Sequence, residues 1–209
     1  MTAKLRKSVF IVAIMVLITL QGAAPVFAAR NFVDLEGHWA ESFVAELSLS
    51  ADIPGVNDGL FHPDEFITTD QFFTAFFTAY AKLYPEGSSF NPPYLKAAGE
   101  RGLIDAFDES VKDAPISRYT TASFCHVFMN SILGEEEAAY VSTVERFADY
   151  NLCESCLGHM EQCYFKGIIT GKPGRFFDGN ANLTRAEAAT IIMKMLDPQL
   201  RTPPAANQD

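Results

Sequence analysis

The sequence predicts an all-α fold made of three helix–loop–helix units that pack on one another. Three observations carry the prediction: an internal repeat, a Ser or Thr cap before the second helix of each copy, and apolar residues at helical spacing between turn-rich loops. Placing Thr184 over Thr68 aligns "GIITGKPGRFFDGNANLTRAEAATII" with "ADIPGVNDGLFHPDEFITTDQFFTAF" without a gap. Gly171 then falls on Gly55, Phe177 on Phe61 and Leu183 on Ile67. One extra residue further back, "FADY" at 147–150 meets "FVDL" at 32–35. The copies lie about 115 residues apart, which leaves room for a middle one.

Residues 1–28 read as a secretory signal peptide. Lys4, Arg6 and Lys7 precede an apolar run from Val9 to Leu20, and "GAAPVFAA" offers small residues for cleavage after about Ala28. That run falls short of the roughly 20 residues a spanning helix needs, so the mature chain is expected to be exported without a membrane span. Unit one occupies 29–86. Its first helix runs roughly from His38 to Ser50 with Phe43, Val44 and Leu47 at helical spacing. The loop "PGVNDGLFHPDEF" has turn chemistry, and Thr68 with Gln71 forms a capping box for the second helix. The stretch "FFTAFF" at 72–77 is apolar nearly all round, which predicts a central, buried helix.

Unit two, 87–142, follows a weaker pattern. "YLKAAGERGLID" supplies a short helix, and "APISRYTTASFCHVFMNSI" a second one capped by Ser117. Unit three, 143–200, places Cys156, Met160 and Cys163 inward on its first helix, and Thr184 with Glu187 caps its second. "YPEGSSFNPP" (84–93) and "LGEEEAAYVSTVE" (133–145) read as linkers, and the tail 201–209 as disordered. No unit of about 50 residues buries much apolar surface alone, so the three are expected to form one cooperative structure.

The formal charge of −10 moves to about −13 once three cations leave with residues 1–28. Such an acidic chain lacks the basic stripe that phosphate backbones require, which argues against nucleic acid. No nucleophile elbow and no His spaced with a Ser or Cys appears, and Glu135, Glu136 and Glu137 read as a solvated charge run. The chain is therefore not expected to be an enzyme or to need a cofactor. "DGNANLTRAE" offers Asp178, Asn180 and Asn182, but Leu183 stands where a calcium loop needs glycine. Cys153, Cys156, His159 and Cys163 could line one helical face. Cys156 and Cys163 would then lie about 10 Å apart along a straight helix, too far to share one zinc ion, so no metal is predicted. Export permits disulfides among Cys125, Cys153, Cys156 and Cys163, with Cys153–Cys156 and Cys125–Cys163 as candidate pairs. The alternative is that Cys125 and Cys163 are small buried apolar residues.

Arg185 stands at the first position of a helix, where the macrodipole favours anions. Thr184 and Glu187 already explain the helix start. The arginine is thus either a solvated surface residue or a clamp for an anionic ligand.

"FVDLEGHWAESFVAEL", "PGVNDGLFHPDEFITTDQF" and "GIITGKPGRFFDGNANLTRAEAATII" resemble the S-layer homology family, the triple-repeat module that attaches exported proteins to bacterial cell walls. The resemblance implies a pseudo-threefold helical assembly and localisation at the cell wall or surface. It also implies a ligand, a secondary cell-wall polysaccharide bearing a pyruvate ketal, held in grooves between repeats. The family's Thr-Arg-Ala-Glu motif stands unaltered as Thr184, Arg185, Ala186 and Glu187. It implies a ligand role for Arg185, with free N–H groups at the helix N-terminus adding to the guanidinium fork. Unit two keeps Ser117 and Arg118, whereas unit one has Thr69 in place of the arginine. Trp39 is either a sugar platform or a core anchor, and Asp34 and Asp149 either accept sugar hydroxyls or serve caps and turns. The rival expectation is a degenerate scaffold or protein-interaction module that keeps the fold, binds surface proteins and has lost glycan binding.

Overall fold

The computed structural model describes residues 31–56, 58–86, 89–104, 109–139 and 147–205. The expected signal peptide, much of the 133–145 linker and the last four residues lie outside them. Six α-helices are present among the described residues: α1 (Glu41–Leu47), α2 (Thr69–Leu83), α3 (Tyr94–Glu100), α4 (Arg118–Ser131), α5 (Leu157–Phe165) and α6 (Arg185–Leu196). Isolated β-bridges occur, but no sheet, so the fold is all-α. None of these helices is long and apolar enough to cross a membrane.

The caps start the three longer helices where the sequence places them. Thr68 and Thr184 complete capping boxes with Gln71 and Glu187, and the Ser117 side chain accepts from Thr120 N–H. α1 begins at Glu41, not near His38, because Gly37 turns the chain at φ 74° and His38 Nδ1 accepts the Ala40 N–H.

α2 is buried on nearly every side, as its composition requires. Phe72, Phe73, Phe76 and Phe77 are all at most 1% exposed. Phe124 of α4 meets all four rings edge-on, with centroids 4.8 to 6.0 Å away. Offset and edge-on pairs of this kind add to the stabilisation from burial itself, about 1.5–3 kcal/mol for each such side chain. Phe90, in the expected linker, packs on Phe77 at 4.4 Å and is buried too.

Helix pairing crosses the expected units. α1 packs on α6, α3 on α2 and α5 on α4, so each unit's first helix lies against the second helix of another. At the centre, three extended residues ahead of the caps close a ring of main-chain bonds. Ile67 N–H donates to Leu183 O (3.1 Å), Leu183 N–H to Ile116 O (3.0 Å) and Ile116 N–H to Ile67 O (3.2 Å). All three side chains are buried.

Two expectations for polar segments are corrected. Glu135 is not solvated: Arg201 grips its two carboxylate oxygens at 2.7 Å each and Lys166 Nζ joins at 3.0 Å. Burial works to raise the Glu135 carboxyl, but the bonds from Arg201 and Lys166 outweigh it and hold it below its ordinary value. The tail is ordered as far as it is described, since Thr202 N–H donates to Gly167 O and Arg201 Nε to Lys194 O. Cys153 and Cys156 form a disulfide with Cα atoms 5.2 Å apart, whereas Cys125 and Cys163 are buried free thiols.

Phe124→Ala should lower unfolding free energy by about 3–5 kcal/mol in chemical denaturation, because it empties the hub of the aromatic cluster. Phe66→Ala, at a position 57% exposed, should change it by less than about 0.5 kcal/mol.

Candidate functional site

Arg185 and Arg118 are neither solvated nor free. Each is at most 4% exposed and reaches across a helix junction onto the loop of another unit. Arg185 Nε donates to Phe61 O at 2.7 Å, and its guanidinium lies 5.0 Å from the Phe61 ring centroid. Arg118 Nε donates to Phe177 O at 2.8 Å, with its guanidinium 5.1 Å from that ring. Phe61 and Phe177 are the residues that the repeat alignment superimposes. In the third junction the shorter Thr69 side chain makes the link, Oγ1 donating to Ala114 O at 3.0 Å.

The expectation that a helix N-terminus supplies free N–H groups is overturned. The first two N–H groups of α6 donate to Glu65 O (2.8 Å) and Pro63 O (3.0 Å), and the third to Thr184 Oγ1 (3.2 Å). α2 does the same through Ala114 O, Lys112 O and Thr68 Oγ1, and α4 through Ala181 O, Gly179 O and Ser117 Oγ. Burial explains this: an unmet N–H inside the junction would cost about 1–3 kcal/mol, so the loops turn their carbonyls toward the helix starts. Any anion recognised here must be held by side chains.

The side chains of Asp34 and Asp149 neither cap helices nor stand free, although Asp149 holds the N-cap position of the 3-10 turn Tyr150–Leu152. Asp34 accepts N–H bonds from Phe61 (3.0 Å) and His62 (2.7 Å), and Asp149 from Phe177 and Asp178 (2.8 Å each). His62 and Asp178 both sit in the left-handed region, at φ 58° and 56°. That conformation is costly for residues with a β-carbon, and the paired N–H bonds to one carboxylate hold it in place. Phe61 thus gives its N–H to Asp34 and its carbonyl to Arg185, so one peptide segment joins the two. Burial raises the Asp34 carboxyl, but the Phe61 and His62 bonds prevail and leave it lowered. Burial lowers the Arg185 guanidinium against the opposing charges of Glu65, Asp34 and Asp58.

The two arginine junctions differ in what surrounds the terminal nitrogens. Arg118 Nη2 donates to Thr170 O at 2.8 Å, and Nη1 lies 3.8 Å from Glu187 Oε1. Arg185 Nη2 is buried and has no hydrogen-bond partner. A β-carbon at Gly55 would stand 3.0 Å from Arg185 Nη1 and 3.3 Å from Gln71 Nε2, so the glycine, at φ +83°, lets both approach the main chain. Gln71 Oε1 accepts the Thr68 N–H, which leaves the amide's NH2 on the arginine side. Trp39 is 59% exposed and packs at a tilt on His38, with ring centroids 5.3 Å apart, which excludes the core-anchor reading. Sequence reasoning gave Gln71 only its cap and missed Phe61 and Phe177 as acceptors, although the repeat alignment had paired them.

Among the described residues no group of three or more His, Cys, Asp or Glu is placed to hold a metal ion. The disulfide occupies two of the four residues once considered for zinc.

An all-helical assembly whose capped helices meet at junctions lined by arginine, aromatic and carboxylate side chains defines a helical binding module. Residues 146–189 match the family model of the S-layer homology domain, and the chain carries that domain there. The matched segment holds Phe147, Asp149, Phe177 and the whole of Thr184–Glu187. No curated protein matches the chain. S-layer homology domains are non-catalytic modules that bind secondary cell-wall polymers and so associate proteins with the bacterial surface.

The folded Asp34 carboxyl lies below its unfolded value of about 3.9, so its contribution to stability is complete above that pH and is lost as the pH falls through the folded value. Asp34→Asn should therefore be less stable near neutrality and should show a shallower loss on acidification below about pH 4, in denaturation curves recorded against pH.

Proposed function

We propose that the chain anchors to the cell wall by binding a pyruvate-bearing secondary polysaccharide, with three S-layer homology repeats at 29–86, 87–142 and 143–200. The ring through Ile67, Leu183 and Ile116 supports three units, because one bond type recurs at three equivalent positions. The observation that carries the ligand reading is the unpartnered Arg185 Nη2, on a guanidinium whose Nη1 approaches Gly55 together with Gln71 Nε2. A buried donor without a partner calls for an acceptor, and a carboxylate could meet it while taking a second bond from the Gln71 amide. Trp39, exposed on the same unit, offers a ring face to a sugar. Asp34 acts through Phe61 instead of touching the ligand, and Asp149 does the same for the Arg118 junction.

A specific observation favours the scaffold alternative at the second junction: Arg118 spends its nitrogens on Phe177 O, Thr170 O and Glu187. Arg118 is accordingly assigned to structure and Arg185 to the ligand.

The test is retention on purified walls before and after chemical removal of pyruvate ketals. The wild-type chain should be held by native walls and released from stripped ones. Arg185→Ala should lose retention, with a stability loss of about 1–3 kcal/mol from the stranded Phe61 carbonyl. Equal retention on both wall preparations would reject carboxylate recognition. Unfolding of the variant would assign Arg185 to the scaffold instead.

A further inference from the structure

In each arginine junction the third residue of the facing helix, a member of its capping box, lies on the guanidinium's side of the junction. At the Arg185 junction that residue is Gln71 of α2, and at the Arg118 junction it is Glu187 of α6. In both, one side-chain oxygen is already committed to the cap: Gln71 Oε1 to Thr68 N–H (3.2 Å) and Glu187 Oε2 to Thr184 N–H (3.1 Å). The other atom of each group is not used by the cap. For Gln71 that atom is a neutral NH2, 3.3 Å from where a Gly55 β-carbon would stand. For Glu187 it is a carboxylate oxygen, 3.8 Å from Arg118 Nη1.

We infer that this capping residue decides which junction accepts an acidic ligand: Gln71 admits a carboxylate to Arg185, and Glu187 excludes one from Arg118, so the chain has a single operative site. The inference rests on the proposed carboxylate reading. A bound acid gains from a guanidinium with an unmet donor and an adjacent amide, whereas beside Glu187 it would meet a like charge that already neutralises the cation. More distant carboxylates act on both arginines, Glu65, Asp34 and Asp58 on Arg185 and Asp178 and Asp149 on Arg118, and several contacts are common to the two junctions. Asp34 and Asp149 are both occupied by main-chain N–H groups, and both arginines hold a phenylalanine carbonyl through Nε. The second junction is also narrower at its glycine, since a β-carbon at Gly171 would stand 2.7 Å from Phe147 Cε1 instead of facing the arginine.

The chain itself shows that Gln and Glu serve the capping box equally, so exchanging them preserves both helix starts. Binding would be measured by titration calorimetry with a simple methyl hexoside carrying a pyruvate ketal. Wild type should bind one equivalent per chain. Gln71→Glu should weaken binding by more than about tenfold without lowering the thermal midpoint, because the new carboxylate pairs with Arg185. Glu187→Gln should add a second, weaker site. Wild-type affinity in Gln71→Glu, together with loss of binding in Arg185→Ala, would overturn the inference and leave the carboxylate reading standing. A single site in Glu187→Gln would overturn the role given to Glu187, and two sites in wild type would overturn the exclusion itself. Binding undetectable in wild type, or untouched by Arg185→Ala, would remove the carboxylate reading and this inference with it.

Discussion

Three peptide units, those of Ile67, Ile116 and Leu183, hold the rest of the molecule in place. Their closed ring sets three extended segments side by side, and each segment ends in the Ser or Thr that starts a helix. Because the ring fixes where α2, α4 and α6 begin, it also fixes which loop carbonyls lie over each helix start. The arginines at the first helical positions then reach the loop of another unit. Breaking one ring bond would strand two buried main-chain groups and free a helix start at the same time, so the centre is cooperative in a way that a single helix pair is not.

Most of the helical scaffold was legible because its signals are local. Thr68, Ser117 and Thr184 mark helix starts by their own chemistry, and the phenylalanines of α2 have no polar face to turn outward, so burial follows. The start of α1 was misplaced because no side chain caps it and the His38 ring intervenes. Longer-range partners left no local trace. Glu135 looks like one of three solvated acids until Arg201, far along the chain, grips it. Asp34 looks like a turn residue until the loop it braces comes back to meet it. The arginine at the start of α6 was legible as an anomaly, since a cation there opposes the macrodipole, but the phenylalanine carbonyl that receives it was not.

Acidity also takes on a specific meaning. Arg185 is buried among the fields of Glu65, Asp34 and Asp58, yet none of these takes its Nη2. Asp34 is held away by the two N–H groups it serves. Nη2 is therefore a buried donor on a cation that none of the three carboxylates meets directly.

The third junction separates what closure needs from what an arginine adds. Thr69 closes it with one hydroxyl bonded to Ala114 O, so a helix start in this fold is tied to the next loop without any cation. An arginine in that position makes the same tie through Nε and brings two further nitrogens that closure does not require. In Arg118 those nitrogens are consumed by Thr170 O and by the facing Glu187. In Arg185 one of them stays unmet inside a junction where every main-chain N–H of the helix start has found an acceptor. That donor serves no closure of the junction, and it belongs to a guanidinium approached by a facing glutamine and a left-handed glycine.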